Sequence, residues 1–138
     1  MAEYGAHYQE FRAAGVDVVA LSVDDAPRSE GLRAQLGLPF PILCDPGRVV
    51  VRAWDLYNSK EMGGIAFPAV FVIGPDRRVR YRSVDRTRDR ASTDGVLRFL
   101  RGEASADTVE RVRVHAGLRE FGRATANAFR RGLRTPET

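Results

Sequence analysis

The segment Val16-Asp17-Val18-Val19-Ala20-Leu21-Ser22-Val23 is short, rich in β-branched residues and almost continuously apolar. A strand reads this way when helices cover both faces of its sheet, because neither face then has to meet water. The segment therefore favours a parallel or mixed sheet inside an α/β domain, and its neighbours agree. Tyr4, Tyr8 and Phe11 recur at i, i+4 and i+7 ahead of Gly15, which predicts a helix over 2–14 with one apolar face. Asp24-Asp25-Ala26-Pro27 supplies turn chemistry, Ser29 precedes Leu32 and Leu36, and Gly37 stops a second helix of about 28–36.

Phe40-Pro41-Ile42-Leu43-Cys44 reads as a further strand. Its internal proline has no N–H to give to a ladder, which suits an edge or a strand start. Val50, Ala53, Trp54 and Tyr57 predict a third helix, followed by a loop over 58–66. Residues 67–74 and 79–84 form a hairpin around Pro75-Asp76-Arg77-Arg78, and the second strand alternates apolar residues with Arg and Ser, giving it one wet face. After a charged loop at 85–91, Ser92 caps a helix carrying Val96, Leu97 and Leu100. Beyond Gly102, Val109, Val112, Val114, Leu118 and Phe121 form an apolar stripe that predicts one or two helices from about 106 to 131. The chain divides into a domain over 1–102 and a helical extension over 103–138. At 138 residues and 43% apolar content it has material for one core.

Composition narrows the chemistry. The single cysteine, Cys44, excludes an internal disulfide, a Cys-x-x-Cys redox pair and a cysteine-rich metal site within one copy. With only His7 and His115 besides, no metal is expected. Net charge is +4, and every basic residue except Lys60 is arginine. Arginines 111, 113, 119, 123, 130 and 131 are interleaved with Glu110 and Glu120, which reads as a mixed charged face rather than a phosphate track, so no nucleic-acid partner is expected. No apolar run approaches the roughly 20 residues of a membrane helix and the first residues lack a secretory pattern, so the reading is a cytoplasmic protein with no membrane partner.

Three segments carry a likeness to a known family. Residues 11–24 end a helix and close the next strand on Ser22-Val23-Asp24; Leu38-Pro39-Phe40-Pro41-Ile42-Leu43-Cys44-Asp45-Pro46 is the second segment; Pro68-Ala69-Val70-Phe71-Val72-Ile73 is the third. In this order and spacing they resemble the peroxiredoxin-like proteins of the AhpC/TSA (redoxin) group, over roughly residues 1–101. The resemblance implies a thioredoxin-like three-layer sandwich: a mixed sheet with helices on both faces, incomplete at the N-terminus, plus a C-terminal helical extension. It also implies thiol-dependent peroxide reduction without a cofactor. The reactive cysteine of the family opens the first long helix, where the helix dipole favours the thiolate that attacks the peroxide. A thiol reductant, either a thioredoxin-like protein or a small thiol, then restores the sulfenic acid that forms.

The same alignment starts this chain just after that cysteine, so no catalytic residue is assigned within it. It also implies that a central strand, between those at 16–23 and 68–74, is absent. Such a gap leaves facing backbone groups unpaired, at about 1–3 kcal/mol for each buried group. Rearrangement, a strand borrowed from a partner in a homodimer, and a reading frame starting upstream of Met1 are the three resolutions; the last is favoured.

Individual residues are weighed on this frame. Cys44, the one redox candidate, reads as a buried, inert thiol. Pro68, after Phe67, falls at the cis-proline position of thioredoxin-like folds, where many peroxiredoxins carry arginine instead. Asp24 and Asp25 read as turn and cap residues, His7 and His115 as solvated, and Trp54 and Tyr57 as core. Besides the peroxidase reading stands that of a non-catalytic redoxin-like module, acting through open sheet edges or its arginine-rich C-terminal segment.

Overall fold

The computed structural model describes residues 1–60, 64–85 and 89–113. The predicted N-terminal helix is present as two short pieces, α1 (Ala2–Ala6) and α2 (Tyr8–Ala13), broken at His7, whose φ of −95° and ψ of 11° leave the helical region. Gly5, a weak helix former, lies in the first piece; a Cβ there would approach Leu38 Cδ2 to 3.1 Å, so the glycine admits the Leu38 side chain.

Strand β1 (Ala20–Ser22) pairs in parallel with β2 (Ile42–Cys44), Leu21 opposite Leu43 and Ser22 opposite Cys44. Between them runs α3 (Ala26–Gln35), completing a β–α–β crossover. Both ends of α3 are chemically explicit. The Asp25 carboxylate accepts from the Arg28 N–H at 3.0 Å, and Pro27 occupies the first turn. At the other end Gly37, at φ 59°, lets its own N–H and that of Leu38 bond back to the carbonyls of Ala34 and Arg33. Of the expected strand at 16–23, Ala20–Ser22 enters the ladder.

Helix α4 (Val49–Ala53) is started by Asp45, whose buried carboxylate accepts from the N–H groups of Val49 (2.8 Å) and Val51 (3.0 Å). Tyr57, expected in the third helix, instead opens strand β3 (Tyr57–Asn58), which pairs with β4 (Ile65–Ala66) across the segment 58–66 expected as a loop. The predicted hairpin is β5 (Ala69–Ile73) with β6 (Val79–Val84), Phe71 opposite Arg82 and Val72 opposite Tyr81. After β7 (Asp89–Ala91), Ser92 caps α5 (Thr93–Leu100) as expected, its hydroxyl accepting from the Gly95 N–H at 3.0 Å.

The chain then departs from expectation. Ala106–Thr108 makes one 3-10 turn, and β8 (Arg111–Arg113) pairs antiparallel with β7. The start of the predicted helix over 106–131 is therefore strand, because Arg111-Val112-Arg113 alternates and finds a ladder partner in β7; the rest of that reading, with His115, falls on residues 114–138, outside the described residues.

The core gathers Phe11, Tyr81, Ala91, Val96, Leu97 and Val109, with Tyr4, Val18, Val70, Val72, Phe99 and Leu100 packed against it. Tyr4 stacks on Phe11 with ring centres 5.4 Å apart. Each fully buried large side chain in it stabilises the fold by about 1.5–3 kcal/mol. The opposite face of β5 meets the end of α4, where the C-cap residue Trp54 stands edge-on to Phe71 at 4.7 Å. Helices thus lie on both faces of the β5–β6 hairpin, the layered α/β arrangement expected. Trp54 itself is exposed, which corrects the expectation that it belongs to the core. Among the described residues the ladders stay as four two-stranded units, and β1 is not bonded to β5.

Candidate functional site

Pro68 stands immediately before β5, where a residue without an N–H breaks no ladder bond. The Phe67–Pro68 bond is trans, and among the described residues no peptide bond is cis, which corrects the cis expectation. The trans form is favoured by about 0.5–1 kcal/mol for any X–Pro bond. Here it satisfies the surrounding backbone: the Phe67 N–H donates to the Leu56 carbonyl at 2.7 Å, and the Pro68 carbonyl accepts from the Asp85 N–H at 2.8 Å.

Asp85 leads from Pro68 into a polar cluster. Tyr81, Ser83 and Asp85 follow one another at every second position, so all three face the core, and all are buried. The Asp85 carboxylate accepts from the Ser83 hydroxyl at 2.7 Å and from Arg111 Nη2 at 2.7 Å, while Arg111 Nη1 donates to the Ser83 oxygen at 2.9 Å. A buried carboxylate without a cation would be strongly disfavoured, and Arg111 of β8 supplies that cation. On the same side lies Tyr4 of α1. Burial pushes its phenol well above the ordinary tyrosine range, and the nearby Tyr81, Glu3 and Asp85 add to the effect against the opposing Thr93 hydroxyl.

The structure thus brings together Pro68, Ser83, Asp85 and Arg111, with Tyr4 and Thr93 beside them, at the junction of α1, β6, α5 and β8. The carboxylate is committed to its arginine and to the Ser83 hydroxyl, so the cluster can position chains and hold charge, and none of its members is a thiol. Of these residues, sequence reasoning offers Pro68 alone as a site candidate, reading Tyr4 as part of an apolar helix face and Arg111 as part of a mixed charged face. The readable signal for the others is the period-two placement of Ser83 and Asp85 behind the buried Tyr81, which demands a partner for a carboxylate on a core-facing position.

Cys44 lies elsewhere. It is exposed at the end of β2, with Sγ 3.8 Å from the Ile42 carbonyl, and this corrects the expectation of a buried thiol. Among the described residues β2 pairs on one side only, and its last two residues, Leu43 and Cys44, are both exposed. The turn and cap residues stand close to expectation. Asp25 caps α3, and the Ser22 hydroxyl donates to Asp24 at 3.1 Å within a turn. His7 binds Glu10 on the surface at 2.7 Å, which raises the imidazole pKa; Glu10, bonded also by Arg101, is lowered. The Arg52 guanidinium lies 3.8 Å above the Tyr57 ring. Among the described residues no group of His, Cys, Asp and Glu is placed to hold a metal.

Comparison with known proteins places this geometry. The AhpC/TSA family profile matches residues 1–82. A Mycobacterium tuberculosis protein carrying a provisional peroxiredoxin name is 36% identical over 74 residues, covering 51% of this chain and 47% of that protein. Peroxiredoxin 2 of Thermoplasma acidophilum is 27% identical over 100 residues, covering 68% of this chain and 49% of its own length. The solved AhpC of Mycobacterium tuberculosis superimposes with a TM-score of 0.66 at 26% identity, over 79% of this chain and 64% of that one. The chain spans about half the length of the curated relatives it matches. With more than half of its residues matched by the family profile and its backbone following that of solved members, the chain belongs to the AhpC/TSA family of peroxiredoxin-like redoxins and has their thioredoxin-like α/β fold.

Proposed function

We propose that this domain serves thiol-dependent peroxide reduction, as an antioxidant oxidoreductase of the redoxin type working in the cytoplasm. The observation that carries the reading is the family match across residues 1–82. In that chemistry a thiolate displaces one oxygen of the peroxide O–O bond, leaving a sulfenic acid on sulfur and releasing water or an alcohol once protonated. A thioredoxin-like protein or a small thiol then supplies two electrons and returns the cysteine to the thiol. No cofactor enters either step.

Residues 1–138 hold one thiol, Cys44, exposed at the end of β2 and apart from the Pro68 cluster. Cys44 is not placed as a peroxidatic residue, so the chain by itself is read as inactive. Peroxide consumption with a thiol donor tests both halves. The 138-residue chain is expected to run at the uncatalysed rate, unchanged by Cys44→Ala; turnover abolished by that substitution would overturn the assignment. A genomic reading frame that encodes no cysteine besides Cys44 would remove the peroxidase reading.

A second reading is favoured by the separate ladders. The β1–β2 and β5–β6 pairs each leave an edge that no described strand bonds, and Val19, Leu21 and Leu43 are exposed beside the first. Under it the chain is a non-catalytic redoxin-like module that acts by pairing with a partner or with a second copy.

A further inference from the structure

We draw no further inference here: the strongest candidate, the uncovered apolar face of the β1–β2 pair carrying Leu21 and Leu43 with Val19 just before it, carries nothing because nothing in the structure shows what covers it.

Discussion

Asp85 is where burial and charge meet most sharply. Its carboxylate side chain is only 2% exposed, while the Arg111 side chain that neutralises it is 44% exposed and reaches in from β8. Arg111→Met would strand the carboxylate with Ser83 alone, and the expected cost in denaturant unfolding is about 1–3 kcal/mol, the range for a buried polar group that loses its partner. Adding Asp85→Asn should recover part of that loss, since the stranded charge is then gone. Simple additivity of the two substitutions would show that the pair is not coupled. The His7–Glu10 contact predicts a pH window. His7 is raised from 6.5, so its contribution is full below that value and lost as pH rises through the higher folded pKa. Glu10 is lowered from 4.5, so its share is full above 4.5 and lost as pH falls through the lower folded pKa. The pair contributes fully between those two values. An NMR titration should place the His7 ring above 6.5, and Glu10→Gln should return it toward that figure; an unmoved titration would mean that the contact does not form in solution.

At the scale of elements, α5 is held down by the segment that follows it. Gly95 sits where a Cβ would come within 2.9 Å of the Glu110 N and 3.0 Å of Val109 Cγ1, besides crowding the Ser92 cap at 2.7 Å. Gly→Ala in an open helix would gain up to about 1 kcal/mol. Here the clash reverses the sign, and Gly95→Ala is expected to lower stability by about 1–3 kcal/mol. A Tm equal to or above that of the unsubstituted protein would mean that the 109–113 segment yields easily. The same region explains what the sequence can and cannot reveal. The ends of α3 and α5 are legible because their signals are local: Asp25, Pro27, Gly37 and Ser92 each act within a few residues. The β7–β8 ladder is not, because Arg111-Val112-Arg113 becomes a strand only by meeting Asp89–Ala91 across an intervening helix. Candidate-site residues divide in the same way. Pro68 is visible from its own motif, whereas the Asp85–Arg111 bond joins positions 26 apart in sequence. Cys44 departs from expectation for a related reason: an apolar run identifies a strand, but the number of neighbours that strand acquires decides whether its end is covered.

For the whole molecule, the unjoined ladders make the state of association the informative measurement. If the edges of β1 and β5 engage a second copy, size-exclusion chromatography with light scattering should report a mass that falls on dilution. A concentration-independent, well-folded monomer would overturn pairing with a second copy. The family assignment itself is legible from three short motifs, because each is read within a single stretch of chain and their order and spacing need no tertiary contact.

The core cluster also bears on how the chain folds as it is made. Phe11 and Val109 pack in the same cluster, and Arg101 reaches back to Glu10 across 91 positions of sequence. Closing so long a loop must precede the contacts that reward it, which slows folding. A ribosome therefore has to deliver almost the entire described chain before the N-terminal helices can bury their aromatic face. Until then, Tyr4 and Phe11 have only each other among the aromatic partners they meet in the core, a natural point of contact for a chaperone.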